Sequence, residues 1–338
     1  MSSGRTLKLN SGYSIPVVGL GTWQSGPHEV AKAVEHALRG GYRHIDAAAC
    51  YGNENEVGEG IRASGVPRAD IFVTSKLWNT HHRPDDVESA LDETLKNLGT
   101  DYLDLYLVHW PVSFEKGSGF KDLWPINPET GAVHVIDVPD AETWKAMEAL
   151  VEKGKVRSIG VSNFTRERIE NLLKTAKIKP AVNQIEAHPY LQQPDLLGWL
   201  KSQNIVAQAY SHTGNNIYGK SKAVDDPVVL EIAASLGRQP TQVLIQWAIQ
   251  RGMVVLPKSI TPSRIDANFQ DFELPQHAFD QISTLDRHAR YNFPLRLGVN
   301  IFGEHDEETL RKGVQDLIAA TREKSVNDLY EAHKKATS

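Results

Sequence analysis

Four residues of this 338-residue chain could do chemistry together: Asp46 and Tyr51 in GYRHIDAAACYGNENEVG, Lys76 in VTSKLW and His109 in YLVHW. A free phenol has a pKa near ~10 and donates poorly at neutral pH unless a nearby cation stabilises the phenolate. Lys76 is such a cation, and a carboxylate at Asp46 would keep it charged and oriented. Each unit of lowered pKa needs about 1.4 kcal/mol of differential stabilisation, which a buried ion pair can supply. Taken singly, the residues are bland: Tyr51 could fill a loop, Lys76 and Asp46 could be a salt bridge, and His109 could be a core histidine. Together, in this order, they point to proton donation.

Further along lie polar residues at what read as successive strand ends. Ser162 and Asn163 of GVSNF and Gln184 of VNQIE offer hydroxyl and amide partners, and Tyr210 of AQAYS offers a flat face for stacking. LPKSITPSR places Lys258, Ser259 and Arg264 at the start of a short helix. Two cations, a hydroxyl and helix-terminal N–H groups suit an anion. The plainer reading is a solvated basic helix start.

The elements that must position these residues follow from periodicity. TLKLNSGYSIPVV, with Ser11 and Gly12 between two short runs, reads as a hairpin. Short apolar runs at VGLGT, YRHIDA, IFVTSK, YLDLYLVHW, VRSIGVS, AVNQIE, IVAQAYS and VVLPKS alternate with helical-period stretches such as DDVESALDETLKNLG and PTQVLIQWAIQRG. Strand–helix repetition of this kind predicts an α/β fold, a (β/α)8 TIM barrel whose active site lies at the carboxyl ends of its strands. An open doubly wound sheet would want G-x-G-x-x-G after its first strand, and VGLGTWQSG has the wrong spacing. With no linker in the repeat, residues 1–338 are expected to form a single domain, with the barrel over about 19–286 and a C-terminal loop and helix over about 287–338.

Two long loops are expected over the C-terminal face, at about 113–139 and 287–304, followed by a charged helix over roughly 306–335. Loops of this length are usually functional or disordered. Their aromatics Phe114, Phe120, Trp124, Tyr291 and Phe293 predict pocket walls, and the final helix could pack on the barrel or self-associate. His81 and His82 read as a polar loop rather than a metal site, since adjacent residues make no chelating face, and no metal is expected.

The hydrophobic share of 40% and charged share of 23% are those of a globular protein with a sizeable core. A net charge of -5 argues against a general nucleic-acid binder. The single cysteine, Cys50, cannot form an internal disulfide and reads as a small buried hydrophobe. No signal peptide or membrane span is legible, so the expectation is a cytoplasmic protein, a monomer or weak dimer, without membrane or nucleic-acid partners.

The motifs quoted above, with LPKSITPSRIDANF, resemble the aldo-keto reductase superfamily from about residue 6 to 287. That resemblance implies carbonyl reduction by hydride transfer, with Tyr51 as general acid, His109 orienting the substrate carbonyl, and Trp23, Trp110 and Trp124 lining the substrate mouth. It further implies a nicotinamide site built from Gly21, Thr22, Trp23, Asp46, Ser162, Asn163, Gln184, Tyr210, Ser211 and Gly214. Lys258, Ser259 and Arg264 would read a 2'-phosphate, with Asn268 facing adenine, which favours NADPH over NADH. Two departures stand out. Ala267 occupies a position that is often Glu, and Ser211-His212-Thr213-Gly214 replaces the usual Ser-Pro-Leu-Gly, so that His212 could meet a phosphate or a substrate carboxylate.

The chain looks most similar to fungal glycerol, glyceraldehyde, aldose and uronate reductases. D-galacturonate and neutral trioses or pentoses are therefore the expected substrates, with Lys116, Lys121, His212, Arg290 and Arg296 as candidate carboxylate partners. Two other readings remain at this point. One is a channel-regulatory barrel that keeps its cofactor as a binding module, which the intact tetrad disfavours. The other is a reductase of apolar carbonyls such as steroids, which the polar loops disfavour.

Overall fold

A computed structural model describes residues 4–117, 122–216 and 219–321. The opening hairpin pairs β1 (Thr6–Lys8) with β2 (Ser14–Pro16) around the expected turn. Its buried Leu9 and Ile15 pack on Phe72, Leu105, Leu107 and Val254 and plug the floor of the domain.

The eight apolar runs become eight parallel strands. In chain order they are β3 (Leu20–Gly21), β4 (His44–Asp46), β5 (Phe72–Leu77) and β6 (Leu105–Val108), then, after the first long loop, β9 (Ile159–Ser162), β10 (Val182–Glu186), β11 (Val206–Tyr210) and β12 (Val254–Val255). They pair in sequence order. Gly19 N–H donates to Val255 O at 2.9 Å, Val255 N–H to Val17 O at 2.8 Å and Gly21 N–H to Pro257 O at 3.0 Å, so the two edges of the sheet meet and the barrel closes.

Helices alternate with the strands: α1 (Val30–Arg39), α2 (Glu54–Ser64), α3 (Pro84–Leu98), α4 (Asp140–Glu152), α5 (Arg166–Leu173), α6 (Pro194–Ser202), α7 (Pro227–Leu236), α8 (Pro240–Gln250), α9 (Pro262–Asn268) and α10 (Gln276–Ser283). Proline at the first helical position starts α3, α6, α7, α8 and α9, where its missing N–H costs nothing. Apolar faces of these helices and the outer faces of the strands form one continuous core.

The two long loops are more structured than loop character predicted. Within the first, β7 (Ser113–Phe114) pairs antiparallel with β8 (Val135–Ile136). The final helix, α11 (Glu307–Thr321), packs inward rather than presenting an unpartnered face: Leu310 and Leu317 are buried with Trp78, Phe114, Trp124, Phe293 and Leu297. Residues 322–335 of the expected helix, and the sequence candidates Phe120 and Lys121, lie outside the described residues. No helix of the described residues is long and apolar enough to cross a membrane.

Candidate active site

Strand geometry delivers the tetrad. Asp46 closes β4, Lys76 lies near the end of β5, His109 directly follows β6, and Tyr51 sits in the turn at Ala49–Tyr51 that leaves β4. Lys76 is fully buried, and its ammonium is 2.7 Å from Asp46 Oδ2, 2.8 Å from Ala47 O and 3.3 Å from the Tyr51 hydroxyl. Two of its three donors thus hold it in place and the third points at the phenol. The Tyr51 ring meets His109 edge-on at 5.9 Å.

Burial, reinforced by the charge on Lys76 and by His82, pushes the His109 imidazole well below the usual histidine range. His109 is therefore neutral at working pH and can hydrogen-bond through N–H, but it is no reservoir of a mobile proton. Cys50 is buried as expected, yet it also lies on the cleft wall, its Sγ 3.5 Å from His109 Nδ1.

Asp46, Tyr51 and His109 line a cleft of about 1090 Å3 over the carboxyl ends of the strands, with Lys76 buried beside them. Gly21, Thr22, Trp23, Ser162, Asn163, Gln184, Tyr210 and Ser211 also line it, as do Lys258, Ser259, Arg264 and Asn268. Lys258 Nζ donates to Gln24 O at 2.8 Å, and the Arg264 side chain is exposed at the rim. Trp110 and Trp124 line the mouth.

Several polar groups here are spent on one another. Asn163 donates to His109 O at 3.0 Å and to Ser162 Oγ at 3.1 Å, while its oxygen accepts from the Tyr210 hydroxyl at 2.7 Å. Ser162 Oγ donates to the Gln184 carbonyl at 2.9 Å. Thr22 Oγ1 donates to the Asp46 carbonyl at 2.9 Å. These bonds fix the wall before any ligand arrives.

Some expectations need correction. Gly214 is not on the cleft wall; it turns with φ +72 behind it, where a Cβ would fall 2.6 Å from Ala223 N, so its glycine answers to the backbone of the following loop. Phe114, Tyr291 and Phe293 are buried behind the wall rather than forming it: Phe114 and Phe293 cluster with Leu310 and Leu317 of α11, and Tyr291 packs with the barrel core and stacks on His188. His81 and His82 are not a polar loop but buried, and His82 Nδ1 lies 3.0 Å from Ser113 Oγ under the first insertion. Lys116 and Arg290 are engaged elsewhere, with Asp86 and Glu304. His212 lines the cleft but is buried, and burial lowers its pKa to about 3, so it carries no charge for an anion.

Other residues of the site went unread in the sequence. Trp78, two positions beyond Lys76, lines the cleft and stacks edge-on with Trp124 at 5.2 Å and with His109 at 5.3 Å. Arg296, by contrast, was among the candidate carboxylate partners of the sequence, and it lines the wall with its guanidinium 4.3 Å from the centre of the Trp124 ring. Glu186 is fully buried at the end of β10 and accepts from Tyr291 N and Asn292 N at 2.9 Å each, which ties the C-terminal loop to the barrel. The spacing of Glu186 and Trp78 by two from Gln184 and Lys76 was the available signal, since alternate strand residues share a face.

The donor set suits a nicotinamide dinucleotide. A flat Tyr210 ring, amide side chains and the cations Lys258 and Arg264 line one cleft with Asp46, Tyr51 and His109. Comparison with known proteins points the same way. Residues 17–290 match the model of the Aldo/keto reductase family. The chain is 45% identical over 325 residues to D/L-glyceraldehyde reductase of Hypocrea jecorina, covering 91% of this chain and 97% of that protein. It is 44% identical over 299 residues to aldo-keto reductase family 1 member A1 of Homo sapiens, covering 85% of this chain and 91% of that one. An aldose reductase structure from Schistosoma japonicum superposes with a TM-score of 0.82 at 43% identity, covering 89% of this chain and all, 100%, of that chain.

Proposed function

This chain belongs to the Aldo/keto reductase family, and on that premise we propose that it reduces the aldehyde of small hydroxylated substrates to the alcohol, reversibly, with NADPH as donor and Tyr51 as general acid. The substrate class comprises aldoses, glyceraldehyde and uronic acids such as D-galacturonate.

One observation carries the reading: the Lys76 ammonium, buried against Asp46, directs its remaining donor at the Tyr51 hydroxyl, while His109 is held neutral. The phenol is thereby the group that can deliver a proton to a carbonyl oxygen, with Lys76 compensating the phenolate left behind. A neutral His109 donates an N–H to the same oxygen and sets its approach. Bound nicotinamide supplies the hydride that reaches the carbonyl carbon. Gln184, Asn163 and Ser162 would hold that ring's carboxamide and Tyr210 would offer it a stacking face, while Lys258, Ser259 and Arg264 would pair with a 2'-phosphate, which would favour NADPH over NADH. Trp23, Trp78, Trp110 and Trp124 exclude water from the mouth.

The name of the Hypocrea jecorina relative supports a neutral triose. Arg296, held over Trp124 on the substrate side, supports an acid sugar, because a guanidinium matches a carboxylate. NADPH oxidation across D-galacturonate, D-glucuronate, D-xylose, L-arabinose, glyceraldehyde and an apolar aldehyde, repeated with NADH, tests the whole reading. We expect the uronates to show the higher kcat/KM and Arg296→Leu to erase that advantage. Equal rates on neutral sugars would leave a polyol-forming reductase, and turnover of the apolar aldehyde alone would overturn the hydroxylated class.

A further inference from the structure

Beneath the tetrad, side chains on the inner faces of four strands form a continuous polar path through the barrel. Asp46 Oδ1 accepts from Gln184 Nε2 at 2.9 Å, and the same nitrogen is 2.8 Å from Gln208 Oε1. Gln208 Nε2 lies 3.4 Å from His44 Nε2, and His44 Nδ1 lies 3.2 Å from the Pro16 carbonyl at the barrel floor. Thr74 Oγ1 lies 3.3 Å from His44 Nε2. His44, Gln184 and Gln208 are all buried.

The donor and acceptor types allow only one direction along this path. A backbone carbonyl only accepts, so His44 carries its proton on Nδ1 and leaves Nε2 bare to accept. A bare Nε2 takes the Gln208 amide nitrogen, which turns the Gln208 oxygen towards Gln184. At the other end an ionised carboxylate only accepts, so it too requires the nitrogen of Gln184. Both amide hydrogens of Gln184 are then committed, and its Oε1 is left facing the cleft that Gln184 lines. Burial keeps His44 neutral, as the scheme needs, with its pKa down to about 4. Close fit holds the ring: a Cβ on residue 19 would fall 2.7 Å from His44 Nδ1, so glycine there admits the imidazole.

We propose that His44 and Gln208 are positioning residues for the reaction at the barrel mouth: through a one-way hydrogen-bond chain they present the Gln184 oxygen to the cleft as a fixed acceptor and brace Asp46 against Lys76. The ligand group opposite Gln184 must therefore be an N–H donor, such as a primary carboxamide. This inference rests on the proposed dinucleotide chemistry for its ligand, but the polarity of the chain does not.

Two measurements test it. In the ligand-free protein, the ring-nitrogen NMR shifts of His44, assigned through its contact with Phe72, should report the Nδ1–H tautomer; an Nε2–H tautomer would overturn the chain. Binding of a nicotinamide dinucleotide and of its 3-acetylpyridine analogue, whose methyl ketone has no N–H, is then compared by tryptophan fluorescence. The unmodified protein should prefer the carboxamide by about tenfold, the order expected for one committed hydrogen bond in a buried site. Gln208→Leu, which removes one of the two acceptors that hold the Gln184 amide nitrogen and leaves Asp46 to hold it alone, should reduce that preference to less than about threefold while the fold persists; Gln208→Met serves if the leucine variant does not fold. A preference unchanged in a folded variant would make the path merely structural. Failure of the unmodified protein to bind either dinucleotide would sink the functional reading while leaving the tautomer result to decide the chain.

Discussion

A buried aspartate meets cations at both ends of this barrel, with opposite consequences. At the floor, Asp104 bridges Arg68 and Arg157 at 2.8 Å each and accepts from Val73 N at 2.9 Å. Both guanidiniums also lie on the Tyr102 ring, at 4.1 and 4.2 Å. Both oxygens of the Asp104 carboxylate are engaged there. At the mouth, Asp46 takes one cation, Lys76, which still has a donor aimed at Tyr51. Saturated charge pairs hold strands together; a pair with one direction left over can act on another group.

Removing the group on which that direction acts gives the largest effect. Tyr51→Phe should lower kcat by roughly a thousandfold, about 4 kcal/mol of transition-state stabilisation, with dinucleotide affinity and melting temperature close to those of the parent. Loss of binding together with turnover would show damage to the fold instead, and the contrast between the two ends would fail at the mouth.

The converse change belongs at the floor. Asp104→Ala strands two partly exposed guanidiniums and a strand N–H, and should cost about 3 kcal/mol of stability in denaturant titration. Activity per folded molecule should be unchanged. A drop in kcat of the folded variant would mean that the floor also serves the chemistry.

Acid sharpens the comparison with a smaller effect. Burial depresses His44 to about 4 and His82 and His212 to about 3. In the unfolded chain these groups bind protons near pH 6.5, so below that value the unfolded state holds more protons than the native one. Stability is fully present above pH about 6.5 and falls by about 1.4 kcal/mol per pH unit for each histidine as the pH drops towards 4. His212→Phe should flatten that slope by one histidine's share between pH 6 and 4.5; an unaltered slope would mean that His212 is not held neutral in the fold.

Much of this was legible in the chain. Short apolar runs marked all eight barrel strands, most of them buried on both faces, and period-3.6 patterning marked helices between them, which bury one face. The tetrad was legible because its members follow strand ends, and a parallel barrel gathers all strand ends at one mouth. Loop walls were misread: Phe114, Tyr291 and Phe293 look like pocket aromatics in sequence, but Phe114 and Phe293 pack with α11 and Tyr291 with the barrel core. The same holds for His212, whose imidazole reads as an anion partner until its burial is known.

Local sequence therefore determined the element order, the barrel and the set of ionisable groups gathered at its mouth, since periodicity and side-chain chemistry are properties of neighbouring residues. Tertiary structure alone decided which directions remained open on each group. The fate of the Lys76 third donor, the orientation of the Gln184 amide between Asp46 and Gln208, and the neutrality of His109 all depend on partners from strands far apart in the chain. Hydrogen bonds and desolvation are set by which of those partners close the space around a group, and only the folded barrel brings them together.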